Sequence, residues 1–215
     1  MQTSESFLLS ALLSFYGGLQ DAYTYNIRDQ VFANAQTGNV VLMSQCFMTG
    51  EWRQGLRFML PLLSFAIGIF VTERIEHRFK EVTAFHWRQL ILLVEIVALA
   101  IVGFMPLSAN MAANIIVSFA CDMQVQTFRK VHGYGYASTM CIGNLRSGVE
   151  SFSVYVRTKE KPALFKALHF FGIIFVFALG AGAGGVLSAH LGIRTIWISV
   201  AFLIAVTLLM VKRES

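Results

Sequence analysis

Apolar residues fill six runs long enough to cross a bilayer as helices, at 7–25, 56–75, 90–105, 111–128, 164–189 and 193–211. About 20 apolar residues in a helix cover the hydrocarbon core. Two further stretches are apolar at their ends and polar in the middle. One, 31–48, is centred on Asn34-Ala-Gln-Thr-Gly-Asn39, and the other, 137–156, holds Gly143-Asn144, Arg146 and Glu150. At membrane depth such amides and hydroxyls must be satisfied inside the protein or by a ligand, because lipid offers no partner. The pattern predicts an all-α polytopic membrane protein built as one membrane domain over residues 1–215, with about six transmembrane helices and two broken or re-entrant Gly-Asn segments. Gly17-Gly18 is expected to loosen the first helix and Pro61 to kink the second.

Composition agrees with that reading. Of the 215 residues, 56% are hydrophobic and 13% charged, against about 25% charged in an ordinary soluble domain. The three cysteines, Cys46, Cys121 and Cys141, lie in or beside apolar runs. Their odd number argues against a disulfide framework and for packing. The first six residues carry no basic run and no small-residue cleavage site follows, so the first apolar run is expected to stay as a helix.

A net charge of +5 would suit nucleic acid in a soluble protein. Here the basic residues cluster at segment ends, where anionic lipid and topology account for them, and no nucleic-acid partner is expected. With eight full crossings the charged connections at 73–88 and 157–166 fall on opposite sides. With six they share one side with both termini, while Arg28, Arg53, Arg57 and Arg194 lie opposite. The second arrangement follows the positive-inside tendency and makes both termini cytoplasmic.

The chain also carries landmarks in duplicate. Each half runs from an acid near a span end through a Gly-Asn segment and a basic stretch to a glycine-bearing span, an arginine and a final span. Asp122 follows Asp21 by 101 residues, Asn144 follows Asn39 by 105 and Arg194 follows Arg88 by 106. Two repeats, 7–106 and 111–212, with three crossings each would have opposite orientations, the plan of many secondary transporters with a site at the repeat interface.

The stretch Gly17-Gly18-Leu19-Gln20-Asp21-Ala22, followed by Val31-Phe32-Ala33-Asn34-Ala35-Gln36-Thr37-Gly38-Asn39, resembles the bacterial YoaK-like membrane proteins, a family defined as a domain of unknown function. Asp21-Ala22 and Thr37-Gly38-Asn39 match that pattern residue for residue, whereas Ala33-Asn34-Ala35-Gln36 departs from it. Length and segment count agree over nearly the whole chain. The resemblance implies a multi-pass protein of the bacterial inner (plasma) membrane and brings no substrate.

The candidate chemistry is polar and internal. Asp21 and Asp122 are expected to serve as coupling groups, joined by Glu150, because a carboxylate inside a span costs about 2.5 to 3.5 kcal/mol unless paired, hydrated or protonated. Glu95 is expected at a lipid edge or helix contact. Thr37, Gly38, Asn39, Gly143, Asn144 and Arg146 are the expected substrate-binding residues. The hydroxyl and amides both donate and accept, the glycines admit close backbone approach, and Arg146 would attract an anionic group. Their structural alternative is interhelical hydrogen bonding, and Arg146 and Glu150, four apart, would pair internally. Gly180, Gly182 and Gly185 fit a dinucleotide fingerprint only formally, since no strand precedes them, and the spacing of Gly180 and Gly184 suits close helix packing. No metal-ligand spacing, hydrolase motif or cofactor signature occurs, so neither an enzyme nor a cofactor is expected. The functional expectation is a small secondary transporter, in its fullest form proton-coupled, for a small polar solute or ion. The alternatives are a channel-like pore and a non-transport scaffold or sensor. Lipid is the expected partner, and the large apolar surface would also allow a homodimer.

Overall fold

The computed structural model describes residues 7–79, 87–131, 134–136 and 138–214. Among them are eight α-helices: α1 (Phe7–Ile27), α2 (Gln36–Met48), α3 (Trp52–Phe79), α4 (Trp87–Gly103), α5 (Asn110–Thr127), α6 (Cys141–Thr158), α7 (Lys161–Leu191) and α8 (Ile196–Glu214). The chain is all-α except for a two-rung antiparallel ladder, Lys130–Val131 against Tyr134–Gly135. Two helical stretches are long and apolar enough to cross a membrane, Trp52–Phe79 and Lys161–Met210, the second being α7 and α8 joined through a tight 3-10 turn.

Polarity is distributed inside out. Phe70, Phe175 and Leu208 are at least 60% exposed, while Asp21, Glu95, Asp122, Gln20 and Asn114 are buried. The apolar core, including Leu13, Leu99, Val117 and Leu203, joins α1, α4, α5 and α8. The expected connection at 73–88 begins as helix, since α3 runs to Phe79. Residues 80–86 lie outside the described residues, as do His86, His132 and the termini at 1–6 and 215.

Two tight helix crossings organise this assembly, and small residues permit both. Where α7 meets α1, a methyl group on Gly180 would overlap the Phe15 carbonyl oxygen, and one on Gly184 would come within 2.8 Å of the Leu19 carbonyl. Gly18 answers from α1, against the Phe177 carbonyl. Helix α1 runs unbroken through the glycine pair, of which Gly18 brings two backbones together and Gly17 faces the Thr139 side chain. Where α3 meets α5, the Ser64 hydroxyl donates to the Ile115 carbonyl at 2.7 Å, and Gly68 lies against the Phe119 carbonyl. The α3 helix is continuous through Pro61.

Arg28 closes the far end of α1. It is fully buried and donates to the Val102 and Met105 carbonyls, to Pro106 O, to Asn110 Oδ1 and to Tyr23 Oη. These carbonyls stand at the end of α4, where a helix leaves its last acceptors unfilled and its dipole favours a cation.

Gly182 has open space where a Cβ would stand. We therefore expect Gly180→Ala to lower the thermal midpoint of the purified protein sharply and Gly182→Ala to leave it unchanged. Overpacking at a helix crossing costs about 1 to 3 kcal/mol. Equal midpoints for the two variants would mean that α1 and α7 do not pack this closely.

Candidate functional site

The chain after α1 turns back into the protein. Asp29 and Gln30 both adopt left-handed backbone, φ 64° and 59°, and reverse its direction. Residues 31–35 then run inward beside α1 until Asn34 stands level with Gly17 and Asp21. There the Asn34 backbone N–H donates to Asp21 Oδ1 at 2.7 Å, and its side-chain amide donates to Gly17 O at 3.3 Å. An extended backbone here leaves polar groups that no helix ladder fills. Asn39 supplies them from the first turn of α2, accepting from Phe32 N–H at 3.1 Å and donating to Phe32 O at 2.7 Å. The same amide donates to Gln36 Oε1.

From this interior start α2 runs outward for 13 residues, about 20 Å at 1.5 Å per residue. Its end returns to the level where α1 finished. Asp29 pairs with Arg57 at 3.8 Å, and both line a recess with Trp52, Ser108 and Asn110. The second half makes the same excursion from the other end. After α5 the chain passes through the small ladder and buries Ser138 and Thr139, and α6 then begins at Cys141 against α1. Its far end joins α7 at Lys161, beyond the level of Phe7, which packs edge-on to His169.

The starts of α2 and α6 share one cavity of about 720 Å³. Its first-half wall is Asp21, Tyr25, Asn34, Gln36 and Thr37, and its second-half wall is Thr139, Met140, Cys141, Ile142 and Gly143. Phe65 from α3 and Phe177 from α7 face it as well. Tyr25 and Phe32 stack at the rim with ring centroids 4.8 Å apart. Asp21 is the one charged side chain in this lining.

Of the expected substrate-binding residues, Thr37 and Gly143 line the cavity. Asn39 and Asn144 are buried behind the wall at the fourth residue of their helices. Asn39 there fastens the inward loop through Phe32 and its own helix through Gln36, so its bonds are local and not interhelical. Gly38 packs beneath the Phe32 ring. Arg146 and Glu150 do pair, at 2.9 Å, but their side chains are 81% and 62% exposed, so the pair is on the surface and not internal. The Leu145 and Val149 side chains share that outward exposure, because the face of α6 turned toward α7 is taken by small residues such as Gly148.

Among the expected coupling acids, Asp21 is at the cavity and Asp122 is not. Asp122 is buried against the α3 backbone at Gly68 and Ile69, and neither of its oxygens makes a hydrogen bond of good geometry. Glu95, expected at a lipid edge or helix contact, is fully buried and makes a helix contact, accepting from the Tyr16 hydroxyl of α1 at 2.7 Å. Thr139 and Tyr16 carry no signal in the sequence pattern, and Arg28 stands there only as a charge opposite the basic connections. The signal for Asn34 was present, since it opens the polar run that departs from the family pattern. Among the described residues no group of three or more His, Cys, Asp or Glu could hold a metal ion.

Removing the Asp21 carboxyl should release the inward loop. We expect Asp21→Ala to cost about 1 to 3 kcal/mol of stability, the loss of a buried acceptor, and to raise amide exchange over residues 31–38. Asp21→Asn keeps an acceptor oxygen and should do less. Unchanged exchange in the alanine variant would show that Asn39 alone holds the loop.

A family model described as "Protein of unknown function (DUF1275)" matches residues 9–209. No curated protein and no solved structure matches the chain. The chain belongs to that family, which assigns it no activity.

Proposed function

We propose that this family member is a small secondary transporter, built from two inverted repeats and carrying a small solute through the central cavity. The observation that carries this reading is the meeting of α2 and α6, two short helices that start inside the protein, come from opposite ends and open their N-termini into one cavity beside a buried acid. Half-helices that converge on a shared interior site are the hallmark of alternating-access carriers.

Several features support the repeat. Offset 100 relates Phe15 to Ile115 and Leu19 to Phe119, and offset 116 relates Gly180 to Ser64 and Gly184 to Gly68, so the two tight crossings are equivalent. Exchange of the halves turns α1 against α7 into α5 against α3, and α2 against α3 into α6 against α7. It also exchanges α4–α5 with α8–α1 and returns the α4–α8 contact to itself. Within the cavity, offset 105 pairs Asn34 with Thr139, Ala35 with Met140, Gln36 with Cys141 and Thr37 with Ile142, and all eight are lining residues.

The same packing favours six crossings. About 20 Å of α2 is too short for a hydrocarbon core of about 30 Å, and both α2 and α6 leave by the side from which their segments entered. The apolar exterior and polar interior fit a bilayer. The charge distribution fits an inner membrane with both termini in the cytoplasm, where Arg129 pairs with Glu73 and Glu76 at the end of α3.

Two measurements test this. Single cysteines at Glu81 and Lys159, in a variant without native cysteines, should be labelled from the cytoplasm, and cysteines at the exposed Ser108 and Arg194 from the other side. Labelling at Glu81 and Lys159 from opposite sides would end the six-span reading. Coupling is read in proteoliposomes: Asp21→Asn should abolish the dependence of uptake on a pH gradient, because an amide cannot exchange a proton. Retention of the full pH response by that variant would remove Asp21 as the coupling group.

A further inference from the structure

We propose that the central cavity takes a small zwitterion, an ammonium and a carboxylate carried on an apolar body about the size of a phenyl group. This names the substrate class for the transport reading above and rests on it for its physiological meaning, although binding can be measured without transport.

Both ends of the cavity hold an uncapped helix start, α2 behind Ala35 and α6 behind Met140, and they differ in the side chains beside it. On the first-half side stand acceptors. Asp21 supplies the only charged side chain of the lining, and Asn34 Oδ1, in a residue 4% exposed, has no hydrogen-bond partner. The stacked rings of Tyr25 and Phe32 add π-faces beside them, and a cation is drawn to such faces within about 6 Å. On the second-half side stand donors. The first-turn amides of a helix have no intrahelical acceptor, and the residue before α6, Met140, makes no side-chain cap. Next to it the Thr139 hydroxyl, in a residue 6% exposed, is also without a partner. A carboxylate fits that end, where helix dipole and amides act together.

Between the ends the walls are Phe65, Phe177, Met140 and Ile142. An inorganic ion would leave these walls unused, and a sugar would bring more hydroxyls than the lining can satisfy. A plain amine would leave the α6 amides unfilled. A plain acid would gain nothing from Asp21 and would meet its repulsion. The charge count favours a neutral guest with separated charges, since two helix N-termini of roughly half a positive charge each offset one ionised Asp21.

Three probes with one body separate the possibilities: L-phenylalanine, 2-phenylethylamine and 3-phenylpropanoate. The readout is protection of Cys141, which lies in the wall and is partly exposed, from a thiol reagent in full-length protein whose Cys46 and Cys121 are replaced. Thermal stabilisation of the unmodified protein serves as a second readout, independent of those replacements. Phenylalanine should protect at a concentration at least about tenfold below either single-charge probe, the effect of one additional charged hydrogen bond. Thr139→Val should weaken phenylalanine and phenylpropanoate while sparing the amine. Asp21→Asn should weaken phenylalanine and the amine while sparing the acid.

Equal protection by the amine, equal protection by the acid, or none by any probe at millimolar concentration in both readouts overturns the proposal. Uptake of phenylalanine into proteoliposomes is scored separately. Protection without uptake keeps the occupant and removes the transport reading. Gradient-driven uptake of another solute, with no protection by phenylalanine, does the reverse.

Discussion

The structure depends on satisfying an unladdered stretch of backbone in its interior. Residues 31–35 pass inward without helical hydrogen bonds, and in an apolar setting each unfilled amide or carbonyl costs a large part of the protein's net stability. Asp21 answers one amide, and Asn39 answers both polar groups of Phe32. With that clasp in place α2 can begin deep inside, with its first residues in the cavity lining. Site and scaffold are therefore one device: the side chains that hold the loop also fix where the helix starts.

Close crossings set the frame around it. Gly180 and Gly184 bring α7 onto the backbone of α1, and Ser64 and Gly68 do the same for α3 and α5. Without bulky side chains at these positions, association relies on close backbone contact and dispersion. Arg28 then locks the end of α1 to the end of α4 with five donated hydrogen bonds and no carboxylate partner among them. Its charge is spread over carbonyl dipoles, which suits a site that no water reaches.

Much of this was legible along the chain. The six apolar runs, the two polar-centred segments and the spacing of Gly180 and Gly184 all correspond to described elements, because composition and period at membrane depth admit few alternatives. Orientation within a helix was less legible. Arg146 and Glu150 look internal on the strength of their segment, yet α6 presents Gly148 to α7 and turns the pair outward. Glu95 reads equally as a lipid-edge residue or a helix contact because it stands alone in its run, and only the fold brings Tyr16 to it across 79 residues. Asn39 reads as a ligand-binding amide, and its partners turn out to be the backbone seven residues earlier.

The spacing of the two aspartates shows how a single residue of register changes what an acid faces. Asp21 and Asp122 are 101 apart, which suggests equivalent acids. The packed carbonyls of Phe15 and Ile115, and of Leu19 and Phe119, set the halves 100 apart, so Asp21 corresponds to Cys121 and Asp122 to Ala22. One residue is about 100° around a helix. That step turns Asp21 toward the Asn34 loop and the cavity, and Asp122 toward the α3 backbone at Gly68. A strictly symmetric pair would put two carboxylates at one cavity, where each would oppose the ionisation of the other. Asp21 is left as the single acid in the lining, with an uncapped helix start on each wall, α2 on one and α6 on the other.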